Sequence, residues 1–329
     1  MSSKQKNKSK APEFLSKFLH AKEISIFIPF LMLCLITAIA NPVFVRWINV
    51  LDNLRSISFY AIVGVGMTFI IIGAGIDLSV GSTIALTGVI TGGAMVIGIP
   101  VFPAILLGLL TGIIVGLINS SIIIFLKLPP FIATLGTMYI AKGIVYILTK
   151  GKPFYPFPDE FLYLAQGKLL GIPYTIFVAA IVVAIGIYLL KNSVFGRSIL
   201  AIGGNELTAR TSGINVNKMK MLSYVMTSFL CAITGILLAS RLSSATANAG
   251  DGWEMTIIAS VIIGGTSMAG GSGSIVGTLI GCGIMTVLSN AMVLLSISAY
   301  WQNVVVGVII IIAVSIDTFR RRKLTGERN

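Results

Sequence analysis

The sequence predicts an all-α polytopic membrane protein with about ten transmembrane helices, and its composition carries this prediction. Hydrophobic residues make up 56% of the 329-residue chain, charged residues make up only 11%, and the mean hydropathy is +0.97. Soluble domains carry about 25% charged residues, so the solvent around this chain must be mostly lipid. Because one span needs about 20 apolar residues, the chain has room for about ten spans and for no large soluble domain.

Ten apolar runs account for these spans. They cover approximately residues 24–41, 59–75, 78–99, 102–126, 131–148, 172–190, 221–242, 255–268, 274–295 and 301–316. The eighth run holds only about 14 residues and leads into Gly264 and Gly265, so we expect a broken or partly re-entrant helix there.

Two series of glycines occur at four-residue spacing. In lipid, small residues at this spacing let helix backbones approach closely, where hydrophobicity supplies no driving force between helices. The glycines therefore predict a compact bundle. The two series are Gly108, Gly112 and Gly116, and Gly273, Gly277 and Gly281.

The lysine and arginine residues predict the orientation of the chain, because cytoplasmic loops retain positive charge. With the N-terminus inside, 17 of the 24 basic residues fall in inner segments and 6 in outer segments, while Lys142 lies within the fifth run. We therefore expect a multi-pass protein of the cell membrane with both termini in the cytoplasm. In this orientation four acidic residues lie on the outer side of the membrane, namely Asp159, Glu160, Asp251 and Glu254.

Three parts are expected along the chain. They are a basic, amphipathic cytoplasmic segment 1–23, a transmembrane domain 24–317 and a basic cytoplasmic tail 318–329. The basic ends and the net charge of +13 indicate contact with anionic membrane lipid rather than with nucleic acid. Four apolar residues in the first segment recur at helical spacing, which suits a short helix lying on the inner leaflet. These residues are Phe14, Leu15, Phe18 and Leu19.

The residue inventory excludes most enzymes. His20 is the only histidine, so neither a Ser-His-Asp triad nor a histidine metal cluster can form. Cys34, Cys231 and Cys282 lie far apart in apolar runs, which indicates buried packing rather than a redox pair. No stretch fits the phosphate-binding pattern GxxxxGK[ST], so we expect no cofactor on this chain and ATP only on a partner subunit.

The stretch GIDLSVGS at 75–82 interrupts two apolar runs with one acid and two hydroxyls. Glycines flanking an aspartate at membrane depth indicate a helix break whose freed backbone groups line protein or water. Asp77 could orient this backbone at the edge of a translocation pathway, or it could merely cap the following helix. Ser79 and Asn119 are further pathway candidates, although a plain interhelical hydrogen bond would also explain Asn119.

Residues 191–220 form a polar connection between the sixth and seventh runs, placed inside by its positive charges. Asn205 can cap a helix that carries Glu206 in its first turn and Arg210 in its last, and Gly213 supplies a left-handed stop. The pattern predicts a helix of about two turns that lies parallel to the membrane. The segment could be a mere linker, but such helix signals on an exposed connection favour a docking site.

Several stretches, taken in order, resemble the permease subunits of ATP-binding-cassette importers for ribose, galactose, xylose and related sugars. The similarity runs from about residue 54 to residue 317. The matching stretches are GIDLSVGS at 75–82, LPPFIATL at 128–135, FGR at 195–197, AIGGNE at 201–206, SGIN at 212–215, and IGGTS at 263–267 with the glycines at 270 and 271. The resemblance implies a ten-helix fold similar to that of the cobalamin importer, the type II permease fold.

The resemblance also implies a mechanism and a set of partners. An extracytoplasmic binding protein delivers the sugar, with ribose favoured, to a pathway formed by two permease subunits, identical or paralogous. Two cytoplasmic ATPases close on ATP and move the connection after the sixth helix, in which Thr211 replaces the leucine found in many relatives. The coupling residues implied by the resemblance are Gly204, Asn205, Glu206, Ala209, Arg210 and Gly213.

Other functions remain open at this stage. The same importer class serves other monosaccharides and an autoinducer sugar, and the sequence does not separate these substrates. A secondary transporter driven by an ion gradient would need ionisable groups within the membrane, for which Asp77 and Lys142 are the candidates. A channel would need a ring of charged side chains or carbonyls, and no filter-like segment is visible in the sequence.

Overall fold

The computed structural model describes residues 24–325, and the side chains of all of these except 299, 313 and 316–325. The helix expected at Phe14 to Leu19, the rest of segment 1–23 and residues 326–329 lie outside the described part. Within that part the chain forms thirteen α-helices, one 3-10 turn and one two-stranded hairpin. In order they are α1 (Ile24–Ala40), the 3-10 turn (Pro42–Val45), α2 (Trp47–Ile72), α3 (Val80–Val96), α4 (Val101–Phe125), α5 (Pro130–Thr149), α6 (Asp159–Gln166), β1 (Lys168–Leu169), β2 (Ile172–Pro173), α7 (Tyr174–Asn192), α8 (Val194–Gly204), α9 (Glu206–Thr211), α10 (Val216–Leu242), α11 (Trp253–Ile263), α12 (Ile275–Leu294) and α13 (Ala299–Thr325).

The all-α prediction is confirmed, and each of the ten apolar runs coincides with a helix. Six helices, namely α2, α4, α5, α7, α10 and α12, are long and apolar enough to cross a membrane. The other four runs correspond to α1, α3, α11 and α13, whose described apolar stretches hold 10–17 residues. Helix α11 has only 11 residues, as the short eighth run predicted.

Helix α10 packs against α2, α3, α4 and α6. The first glycine series makes its contact with α4 close. A Cβ at Gly112 would lie 2.6 Å from the carbonyl oxygen of Ser228, and a Cβ at Gly116 would lie 2.6 Å from the Cα of Val225. No side chain fits at these two positions, so the predicted close approach of backbones is confirmed here.

A second group of helices is formed by α2, α11 and α12. Gly281 of α12 lies directly against the backbone carbonyl of Ser260 in α11. The hydroxyls of Thr68 in α2 and Thr278 in α12 share a hydrogen bond of 2.7 Å in the interior. Helix α2 thereby connects the two groups, and its middle is buried on nearly every side.

Three features of the fold differ from the sequence prediction. Helix α2 begins at Trp47 rather than near residue 59, because Asp52 and Arg55 interrupt the apolar run without breaking the helix. Helix α6 and the hairpin form in the connection between α5 and α7, and α8 forms ahead of the predicted two-turn helix. Both unpredicted helices are short and amphipathic, so a search for apolar runs does not find them.

Candidate translocation and coupling sites

The predicted break between α2 and α3 is present, and Tyr224 of α10 lies beside it. Ala74 adopts a positive φ of 58° in the break. A Cβ at Gly75 would lie 2.8 Å from the Tyr224 hydroxyl, so only glycine fits beside that ring. The same hydroxyl donates to the carbonyl oxygen of Ile76 over 3.2 Å. Tyr224 therefore satisfies a backbone group that the break removes from the helix.

Asp77, Ser79 and Asn119 form one hydrogen-bonded cluster. Asp77 Oδ1 accepts from the backbone nitrogen of Ser79 over 2.8 Å and from the Ser79 hydroxyl over 2.6 Å. Asn119 Nδ2 in α4 donates to the Ser79 hydroxyl oxygen over 2.8 Å. All three residues are completely buried. Because Ser79 is the N-cap residue of α3, the cluster holds the start of this helix against α4.

Two features of this cluster were not visible in the sequence. The backbone nitrogen of Leu78 donates to Thr134 Oγ1 in α5 over 3.1 Å, so the break also contacts a helix that begins about fifty residues later in the chain. In addition, Asp77 Oδ2 and Asn119 Oδ1 are buried acceptors for which the described residues supply no hydrogen-bond partner.

The predicted two-turn helix is present as α9, between α8 and α10. Asn205 is its N-cap residue, and its side-chain oxygen accepts from the backbone nitrogen of Thr208 over 2.9 Å. Gly213 follows the helix with φ of 85°, and the next nitrogen, that of Ile214, donates to the carbonyl oxygen of Ala209 over 3.1 Å. Both ends of the short helix are therefore satisfied by the residue types that the sequence indicated.

An ion-pair network fastens α9 to the start of α10. Glu206 accepts from Lys220 of α10 over 2.7 Å and from Arg210 of its own helix over 3.2 Å. The hydrogen bond from Lys220, more than that from Arg210, lowers the pKa of the Glu206 carboxyl below its usual range. About half of the Glu206 side chain is exposed, so water screens these charges and the network orients α9 more than it stabilises the fold.

The six positions that the resemblance implies for coupling differ in burial. Ala209 is buried against the body of the protein, whereas the other five are exposed. Leu207, which no motif in the sequence marks, is 73% exposed at the surface of α9. Leu207 therefore adds an apolar side chain to the exposed surface of α9, beside the charged Glu206 and Arg210. The exposed coupling positions are Gly204, Asn205, Glu206, Arg210 and Gly213.

A glycine junction joins the end of α8 to the end of α2. A Cβ at Gly203 would meet the carbonyl oxygen of Ile72 and the backbone nitrogen of Gly271, so the three backbones are in direct contact. Gly270 has φ of 87°, and a Cβ there would lie 2.9 Å from the carbonyl oxygen of Gly203. A Cβ at the adjacent Gly204 would meet open space. The sequence shows these glycines, but it does not show that they meet.

Comparison with known proteins identifies relatives along most of the chain. Residues 49–314 match the family described as the permease component of the branched-chain amino acid transport system. The ribose import permease RbsC of Haemophilus influenzae is 44% identical over 297 residues, which is 89% of this chain and 92% of that protein. The RbsC of Bacillus subtilis is 40% identical over 298 residues, 90% of this chain and 92% of that protein.

A permease for a different sugar is also similar. The galactose/methyl galactoside import permease MglC of Escherichia coli is 33% identical over 320 residues, 92% of this chain and 95% of that protein. No solved structure matches the chain. The match covers all six long apolar helices almost completely, together with α8, α9 and the break at Asp77.

Proposed function

Because the chain belongs to the family of branched-chain amino acid transport system permease components, we propose that it is the permease of an ATP-binding-cassette importer that carries ribose. The main support for this proposal is that two ribose import permeases from different genera are 44% and 40% identical to this chain across about nine tenths of its length. The galactoside permease is more distant, at 33%. The alternative is the same importer class acting on another monosaccharide or on an autoinducer sugar.

The proposed complex contains three further kinds of subunit. An extracytoplasmic binding protein delivers the sugar, a second permease copy or paralogue completes the pathway, and cytoplasmic ATPase subunits bind and hydrolyse ATP. This chain makes and breaks no bond in the sugar and carries no cofactor. The proposal is supported by the import permeases among its relatives and by a sequence without a phosphate-binding loop.

In the proposed topology the domain 24–317 crosses the membrane ten times, with the type II fold and both termini in the cytoplasm. Ten helices at the ten apolar runs support this number, and the distribution of basic residues supports the orientation. Helices α3 and α11 are shorter than a full span because irregular backbone precedes each of them within the bundle. A reporter fused after Asn329 that is active only outside the cell would contradict this topology.

The proposed coupling element is α9 with its flanking residues. Closure of the ATPases on ATP favours the arrangement of α9 that fits their closed state. The glycine junction at Gly203 offers a direct backbone contact from α8 to the end of α2, next to the break. Asp77, Ser79 and Asn119 orient that break at the edge of the pathway.

Uptake by the reconstituted complex tests the substrate. Vesicles containing the permease and its ATPase, supplied with the cognate binding protein and labelled ribose, should accumulate label. Unlabelled ribose should compete strongly, and galactose, xylose and an inositol should compete weakly. Stronger competition by one of the other sugars would assign that sugar instead and leave the importer class unchanged.

A further inference from the structure

Lys142, in the apolar helix α5, forms an ion pair with Asp251, in the connection between α10 and α11. This pair lies away from the break and from α9. Lys142 Nζ of α5 lies 3.0 Å from Asp251 Oδ1, and these side chains are 38% and 44% exposed. Lys142 is seven residues before Thr149, the last residue of α5, which places it about 10 Å inside the helix end. A half-exposed ion pair facing hydrocarbon would be costly, so this pair faces water or another polar surface.

The partner of Lys142 comes from a segment that folds inward after α10. Trp253, two residues beyond Asp251, packs edge-on against Tyr60 in the middle of α2, with ring centroids 4.8 Å apart. A Cβ at Gly81, in the first turn of α3, would lie 2.5 Å from the carbonyl oxygen of Gly250. The first contact places Trp253 beside the middle of the long helix α2, and the second places Gly250 against the start of α3, which follows the break.

Helix α5 has three distinct faces at this level. Tyr139, Lys142 and Tyr146 recur at a spacing of three and four residues and so share one polar face, with the tyrosines 67% and 46% exposed. A second exposed face is apolar, and the third face is buried. The apolar face carries Gly136, Ile140, Ile144 and Ile147, and the buried face carries Thr134, Thr137, Ala141 and Val145.

We propose that Lys142, Asp251 and the two tyrosines line the sugar pathway and contact the transported sugar. This inference rests on the proposed function and adds residues to it. Sugar sites combine aromatic surface with a few placed polar groups, and this face offers two exposed phenol rings beside paired charges. The completely buried cluster at Asp77 offers no such exposed groups. In a complex of two permeases, the polar face lines the space between them.

Accessibility to a water-soluble, membrane-impermeant thiol reagent tests the face directly, in the full complex with its ATPase. The variant Tyr146→Cys should react at least about tenfold faster than Ile147→Cys, because only a thiolate reacts and a thiol facing hydrocarbon stays protonated. The two positions are adjacent in α5 and so share one depth. The unmodified chain, with Cys34, Cys231 and Cys282, gives the background. Equal rates at both positions would overturn the proposal.

Charge variants separate sugar contact from a purely structural ion pair. Asp251→Asn and Lys142→Gln should lower the amount of sugar moved per ATP, while the loaded binding protein still stimulates ATP hydrolysis. The reversed pair, Lys142→Asp with Asp251→Lys, restores the link between α5 and the inward segment. If the pair contacts sugar, the reversed pair should not restore the amount of sugar moved per ATP. Full restoration of that amount would overturn the role of the pair in sugar contact. The thiol reagent could label Tyr146→Cys selectively while the natural chain takes up no ribose. This result would exclude ribose as the substrate and would still support the polar face of α5 as part of the pathway.

Discussion

The backbone nitrogen of Gly271 donates to the carbonyl oxygen of Ile72 over 2.8 Å, and this bond joins the connection between α11 and α12 to the end of α2. Ile72 is the last residue of α2, five residues before Asp77 in the break. Gly271 lies in the connection between α11 and α12, against Gly203 at the end of α8. The end of α8 is therefore connected to the end of α2, next to the break, through backbone contacts without an intervening side chain.

Two neighbouring glycines provide a matched test of this junction. Gly203→Ala places a methyl group against the carbonyl oxygen of Ile72, and such overpacking costs about 1–3 kcal/mol. Gly204→Ala places the same methyl group in open space. We expect the first variant, but not the second, to lower the melting temperature of the permease measured without its ATPase, where Gly204 is exposed. Equal behaviour of the two variants would show that the junction tolerates a side chain.

Reversal of the charge at Glu206 tests the docking helix. Glu206→Arg removes the links to Lys220 and Arg210 and places positive charge at the helix N-terminus. The variant should reach the membrane normally, because α9 lies outside the apolar spans, but stimulation of ATP hydrolysis should fall. Normal stimulation in Glu206→Arg would shift the coupling role to the connections at Lys127 and Gly270.

The ion-pair network at Glu206 predicts a pH dependence of local order in α9. The pKa of this carboxyl is lowered in the folded chain from its usual 4.5. The contribution of the ionised carboxylate to the stability of α9 is therefore complete above about pH 4.5. It is lost as the pH falls through the lower pKa of the folded chain. Hydrogen exchange of the backbone amides in 205–213, corrected for intrinsic rates, should show constant protection down to about pH 4.5 and less protection at lower pH. The variant Glu206→Gln should not show this loss of protection. A loss of protection near neutral pH would contradict this assignment.

Loss of the carboxylate at Asp77 should impair transport more than membrane insertion. Asp77→Ala removes the acceptor of two hydrogen bonds from Ser79, so the start of α3 loses its hold on the break. Asp77→Asn keeps one oxygen acceptor and should retain part of the uptake. The measurement is uptake normalised to the amount of permease in the membrane. Normal uptake by Asp77→Ala at normal expression would mean that Asp77 is only a dispensable cap.

The sequence predicted those features that depend on neighbours along the chain. Apolar runs located the helices, and Asn205 with Gly213 located both ends of α9 because capping is a local interaction. It could not pair Lys142 with Asp251, which lies 109 residues away, because nothing local indicates that the segment after α10 folds inward. The start of α2 was placed too late because Asp52 is polar but remains helical.

The roles of individual site residues depend on contacts that the sequence does not contain. Ala209 is one of the coupling residues implied by the resemblance, but its burial shows that it packs inward while Leu207 faces outward. The glycines at 203 and 271 could equally have been flexible turns, since only the fold brings them against Ile72. The residue types along the chain therefore identified the segments that form the candidate sites. Packing in the fold distinguished the buried positions within these segments from the exposed ones.

The driving force of transport tests the central claim most directly. Vesicles holding the permease with its ATPase should be supplied with ribose-loaded binding protein on the outer face, with and without ATP on the cytoplasmic face. The account predicts labelled ribose accumulation only when ATP and binding protein are both present, and no change when ionophores collapse the ion gradients. Uptake that proceeds without ATP and stops when the gradients are collapsed would contradict it and would identify a gradient-driven transporter.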